Sequence, residues 1–211
     1  MVKTFLKDIL NYLNLINIPK TIDIEDTNIV TKNEFYFKEK VFISENFVAG
    51  YTRYNNKNYI IVNKDIKKEK FKESVFFHEC MHLVSQKEDT VGIAIKNKKF
   101  INLNEGANEI AAYYVYSKIY NKKYIYCKGY NTNRIICEYI VDKIYNTKEE
   151  FLKDYLFLKP YEFYKKILYK FNINNLLEFN KLLNNIYFSI ESLKTNDIYE
   201  IYDIISIYLK A

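Results

Sequence analysis

Histidine is almost missing from this chain, with two in 211 residues. Glycine (4), proline (2) and cysteine (3) are also scarce, and arginine occurs only at Arg53 and Arg134. Each scarcity excludes something. So few Gly and Pro, beside 49% hydrophobic and 18% aromatic residues, exclude a disordered chain and point to a sizeable core. Three cysteines, Cys80, Cys127 and Cys137, make an odd set without paired spacing, which excludes a disulfide framework and suits a reducing compartment. The net charge of +6 is mostly dispersed lysine, densest in IKKEKFK at 66 to 72. With two arginines and no recognised binding motif, a nucleic-acid partner is not expected. No apolar run is long enough to cross a bilayer. The opening MVKTFLKDILNYLNLINIPK alternates and lacks a signal peptide's continuous apolar stretch. The expectation is a cytoplasmic protein without a membrane partner. Export by a route that needs no N-terminal signal is compatible with the same features.

What is present is organised as an α+β chain. Residues 2 to 16 read as an amphipathic helix with Phe5, Ile9, Tyr12 and Leu13 on one stripe, ended by Pro19. TIDIED and FYFKEKVFI alternate, so 21 to 47 read as short strands and loops. Two β-prone runs flank Asn55-Asn56-Lys57 and read as a hairpin whose second strand is near Tyr59 to Val62. A helix is expected from about Lys67 to Ser85, with Val75, Phe76, Cys80 and Leu83 buried. A connector with a possible strand, AIKNKKFINL, follows. A second helix is expected from Asn104 to about Tyr120, and three or four helical segments from about Thr132 onward. Pro160 and the Asn-rich patches at 172 to 175 and 195 to 197 mark breaks. The whole reads as a single domain, 1–211. Its core, 1–130, holds a small N-terminal mixed sheet and two chemistry-bearing helices; a helical C-terminal subdomain spans 131–211.

Both histidines lie in FFHECMHLVS, as His78-Glu79-Cys80-Met81-His82. On a helix each residue turns about 100°, so positions four apart point nearly the same way and two imidazoles can grip one metal ion. Glu79 lies on the same side, within reach of a water polarised by that metal. A zinc ion lowers such a water's pKa towards neutrality and a carboxylate can take its proton. With two histidines in the chain, this spacing with Glu in the second slot arises by chance roughly once in a thousand arrangements. A catalytic zinc takes three protein ligands. No third histidine exists, so the third ligand is a carboxylate or a cysteine. Cys80 points about 200° away from His78, into the core, and reads as a small buried hydrophobe. The carboxylates stand in LNEGANE, 103 to 109, where Glu105 opens a helix and Glu109 follows one turn later. One can bind the metal while the other accepts the N–H of a ligand imidazole. Alternatively, both are ordinary first-turn carboxylates favoured by the helix dipole.

The two motifs resemble those of the gluzincins, zinc peptidases with a glutamate ligand downstream of HExxH. Small single-domain zincins of clostridial and phage type, with LNEG as the second motif, look closest. The resemblance covers about 48 to 120 and implies a zincin-like fold. It implies His78, His82 and Glu105 as zinc ligands, Glu79 as general base and Glu109 behind a ligand. It also implies a peptide or protein substrate, with an edge strand above the metal that the substrate joins; Tyr59 to Val62 reads equally as that edge or as an ordinary core strand. Two features of the family are missing. The aminopeptidase branch's Gly-x-Met-Glu-Asn segment is absent, and so is the distal histidine of the thermolysin-like branch. A tyrosine would then assist the oxyanion: Tyr130 in GYNTNR is the candidate, with Arg134 behind it, while Tyr113 and Tyr116 read as core. EGANEIAA is also similar to the Glu-x-Ala-Asn-x-Phe-Ala-Ala pattern of ImmA-type peptidases that cleave repressors, although YYVYSKIY replaces the Leu-Leu-x-Pro that follows there. A zincin-like scaffold that binds a protein partner without cutting it is the reading from another class.

Overall fold

A computed structural model describes residues 1–43, 48–63, 69–87, 90–95, 103–126, 131–195 and 197–210. Among these the architecture is α+β and mostly helical, with one three-stranded mixed sheet. The chain divides into two compact units. The first comprises Met1–Ser85 and Ala112–Cys127, the second Gln86–Ala111 and Lys128–Ala211. No helix of the described residues is long and apolar enough to cross a membrane.

The first unit opens with α1 (Val2–Leu15), which buries Val2, Phe5, Leu6, Ile9 and Leu13 along one stripe. Asn17, not Pro19, ends it: Asn17 takes a left-handed φ of 58°, its N–H bonds Asn14 O, and the Ile18 N–H reaches back to Leu13 O at 2.8 Å. That pair of bonds satisfies carbonyls the helix end would otherwise orphan.

Strand β1 (Thr27–Thr31) follows, beginning only after TIDIED, the stretch at 21 to 26 whose alternation suggests a strand, has ended. The expected strand FYFKEKVFI is instead largely helix α2 (Lys32–Glu39). A capping box decides this. The Thr31 hydroxyl accepts the Glu34 N–H, and the Glu34 carboxylate accepts the Thr31 N–H at 2.6 Å. Two first-turn donors are satisfied in a way no strand could match. Phe35 then turns inward, edge-on to Tyr59 at 5.0 Å, in a small cluster with Ile61.

Strands β2 (Ala49–Tyr54) and β3 (Lys57–Val62) form the expected hairpin. Asn55 and Asn56 both adopt positive φ, which the tight two-residue turn demands and asparagine tolerates. The sheet order is β1-β3-β2, with β1 parallel and β2 antiparallel to β3. Tyr59 to Val62 is therefore in the middle strand, so the core-strand reading holds and the edge reading does not. Its run of Tyr59, Ile60 and Ile61 is buried on both faces, as a central strand requires.

Helix α3 (Glu69–Val84) packs against β2 and α1. Every residue from Ser74 to Ser85 is buried. Phe77, fully buried, meets Phe5 edge-on at 5.5 Å and Tyr116 at 5.1 Å. Helix α4 (Asn104–Tyr120) runs over the expected span. The possible strand in AIKNKKFINL lies mostly outside the described residues.

The second unit contains α5 (Asn131–Ile144), α6 (Lys148–Phe157), α7 (Pro160–Lys170), α8 (Leu176–Leu193) and α9 (Ile198–Leu209). These are five helices where three or four are expected. Pro160 opens α7, Asn175 caps α8 and Asp197 caps α9, at the breaks the sequence marks. The additional break is at Thr147, whose hydroxyl accepts the Glu150 N–H at 3.2 Å and starts α6.

Replacing Thr31 with Ala removes the hydroxyl half of the α2 capping box and leaves the Glu34 N–H without its side-chain acceptor, while the bond from the residue 31 N–H to the Glu34 carboxylate can remain. Thr31→Ala is expected to cost about 1 kcal/mol in urea unfolding, with an unchanged m-value. Thr31→Ser is expected to restore most of it.

Candidate metal centre

Helix α3 carries the first part of the site. His78 and His82, four apart, set their rings 4.7 Å between centroids and nearly perpendicular, at 80°. Both are buried, at 3% and 6% exposure. The reason is local: Ser74 to Ser85 contains no Gly or Pro, so the helix is regular and the i, i+4 pair shares a face. The remaining faces hold Phe76, Phe77, Cys80, Met81 and Leu83, all buried. Cys80 lies in that core, with its thiol directed at Val2 O, and burial pushes its pKa well up. It behaves as the small hydrophobe expected of it.

Glu79 is also buried, at 6% exposure. Its Oε2 accepts the main-chain N–H of Tyr51 at 2.8 Å. A hydrogen bond to an ionised acceptor is stronger than one between neutral groups, and this one holds the side chain towards β2.

The start of α4 is held within the second unit by steric fit and by a polar network. Gly106 permits the closest approach. A Cβ there would lie 2.6 Å from the Asn133 carbonyl carbon and 2.9 Å from Cys137 Sγ, both on α5. The Cys137 thiol donates to Leu103 O at 3.3 Å, one residue before the helix. Asn104 Oδ1 accepts the Ile93 N–H at 2.9 Å, and the Tyr155 hydroxyl donates to Asn108 Oδ1 at 2.7 Å. Lys87 Nζ donates to Gly92 O at 2.6 Å and to Tyr155 O at 2.9 Å. These bonds fix the first two turns of α4. From Leu103 to Ala112, Glu105 alone keeps partial access to solvent; Glu109, one turn on, is fully buried.

The ligand atoms of His78, His82 and Glu105 all lie within 4.8 Å of one another. Among the described residues they are the one group of at least three His, Cys, Asp or Glu residues that could hold a metal. Two imidazole nitrogens and one carboxylate oxygen are a donor set that zinc takes, with a fourth corner for water. Tetrahedral coordination at about 2.1 Å needs donors about 3.4 Å apart, so donors within 4.8 Å of one another would close by up to about 1.4 Å to seat an ion.

Other expectations fall elsewhere. Tyr130 lies outside the described residues. Arg134 is buried on α5, donating to Glu138 at 2.6 Å and to Asn131 Oδ1 at 3.1 Å. Tyr116 is core, with its hydroxyl on Glu73 at 3.0 Å and its pKa pushed up to about 12 by burial and by that bond. Tyr113 is 42% exposed. Sequence reasoning missed Tyr51 and the Asn104–Asn108–Tyr155 network. The signal for Tyr51 was legible: an uninterrupted YIIV run marks a central strand, which leaves its hairpin partner at the edge.

Comparison with protein families, curated proteins and solved structures finds no match to this chain.

Gly106→Ala forces a methyl group against the α5 backbone. It is expected to destabilise the protein by about 1–3 kcal/mol, read as a lowered urea midpoint. Ala107→Gly, next to it on α4, meets no clash but loses a buried methyl, and is expected to cost about 1–2 kcal/mol through helix propensity and lost packing.

Proposed function

We propose that this chain is a zinc-dependent peptidase with a zincin-like arrangement of its two motif-bearing helices, α3 and α4. The observation that carries the reading is the convergence of His78, His82 and Glu105 to within 4.8 Å, from two separate helices. Beside it stands Glu79, a buried carboxylate next in sequence to His78. Two histidines, the only two in the chain, used together with a base at that spacing, are hard to assign to packing alone.

His78, His82 and Glu105 would hold the ion. Zinc supplies Lewis acidity, lowering the pKa of a water and polarising the scissile carbonyl. Glu79 takes the proton of the attacking water as its oxygen adds to the carbonyl carbon. It then hands that proton to the departing amine as the C–N bond breaks, so one water is consumed per bond cut. Glu109, buried one turn beyond Glu105, is assigned to accept the remaining N–H of a ligand imidazole and fix its tautomer. The substrate class is a peptide or protein segment.

Metal analysis of the purified chain is expected to find about one zinc per molecule, and His82→Ala or Glu105→Ala to lose it. Stoichiometric zinc retained by His82→Ala would rule out the ligand set. Glu79→Gln is expected to keep the metal and lose about 100-fold or more in turnover on a peptide library. Undiminished hydrolysis by that variant would remove Glu79 from the base role. Glu109→Gln is expected to weaken zinc affinity about 10-fold to 100-fold, measured by competition with a chelator.

A further inference from the structure

We propose that the Tyr51 main-chain N–H holds the Glu79 carboxylate at rest, and that a substrate backbone must take over this N–H to release the base. The inference rests on the peptidase reading and adds a specificity rule to it: extended peptides are cut in preference to small amides.

The hairpin geometry sets the argument. Around a two-residue turn the closing pair, Tyr54 and Lys57, exchanges main-chain hydrogen bonds, and so do Thr52 with Tyr59 and Gly50 with Ile61. The alternate residues Ala49, Tyr51 and Arg53 direct their main-chain groups away from β3. Among the described residues β2 pairs with β3 alone, so these groups line the sheet's edge. The outward N–H of Tyr51 meets Glu79 Oε2 at 2.8 Å. A peptide adding to this edge as a further strand needs the same N–H for one of its carbonyls. One N–H at full hydrogen-bond length serves one acceptor, so the peptide carbonyl and the carboxylate compete.

The competition links binding to chemistry. A substrate long enough to pair along β2 displaces Glu79, and the freed carboxylate becomes available to a water proton. A substrate too short to pair leaves the base engaged with the strand. Tyr51 is thus a positioning residue, acting through its backbone. Because the acceptor is charged, the hold is worth about tenfold or more in the fraction of free base.

The test compares wild type, Tyr51→Ala and Tyr51→Pro as zinc-bound proteins. Ala removes the ring and keeps the N–H; Pro removes both. Proline is tolerated at an edge-strand position whose N–H does not serve the neighbouring strand. The probes are a decapeptide that wild type cleaves and a blocked dipeptide anilide carrying the same scissile residue. Relative to Tyr51→Ala, Tyr51→Pro is expected to raise kcat on the anilide about tenfold and to raise KM on the decapeptide. A readout independent of turnover accompanies it. Amide hydrogen exchange at Tyr51 is expected to be about tenfold or more faster in Glu79→Ala than in wild type. Equal anilide-to-decapeptide ratios in the Pro and Ala variants, or Tyr51 exchange unchanged by Glu79→Ala, would overturn the inference while leaving the peptidase reading intact. If Tyr51→Pro fails to fold, the exchange measurement decides alone. A zinc-bound wild type that cleaves no peptide at all would overturn both.

Discussion

Polar groups taken out of water must be given partners, and helix α3 puts two imidazoles and a carboxylate where every residue from Ser74 to Ser85 is buried. Most buried helices are apolar all round. This one has an apolar circumference interrupted by His78, Glu79 and His82, and the surrounding structure answers each interruption. β2 supplies the Tyr51 N–H to Glu79. Glu105, at the start of another helix, comes within 4.8 Å of the two histidines. An unpaired charge in such a place is costly, so the arrangement makes sense as a set and not residue by residue.

The second helix is arranged for approach, not for capping. Its first two turns are pinned by side-chain amides: Asn104 to the Ile93 N–H and Asn108 to the Tyr155 hydroxyl. Gly106 removes the one methyl that would keep α5 at a distance. Asn-Glu-Gly is thus three residues with three tasks. The amide holds a connector, the glycine allows close packing, and the glutamate between them keeps a partly open side chain. Rigid neighbours on both sides give the Glu105 carboxylate a fixed direction, and these bonds supply them.

The errors of sequence reading share a cause. In FYFKEKVFI, 35 to 43, the alternation suggests a strand, yet Thr31-x-x-Glu34 just before it signals a helix start. The same T-x-x-E spacing at Thr147 and Glu150 opens the fifth C-terminal helix. Both are capping signals, and both lie in tyrosine- and phenylalanine-rich sequence where the apolar period is ambiguous. A cap satisfies specific N–H groups, whereas an alternating pattern merely permits burial, so the cap prevails. The edge reading of Tyr59 to Val62 fails for a different reason. Position before the HExxH helix suggests proximity, but order within a sheet depends on which strand finds a partner on each side. β1 pairs in parallel with β3 through Ile29 and Ile60, and that long-range choice leaves β2 outside.

The residue order alone determined the spans of α3 and α4, the hairpin turn at Asn55-Asn56, and the shared face of His78 and His82. These follow from helical periodicity, turn chemistry and a four-residue spacing, all local matters. Tertiary structure alone decided that Glu105 lies beside those histidines while Glu109 is sealed a turn further in, and that the Glu79 carboxylate meets the Tyr51 N–H. By spacing alone, two carboxylates on one helical stripe are equivalent, and only the family resemblance separates them. Only packing of the helix against its neighbours sets how deep each one sits, and the sequence holds no local record of that depth.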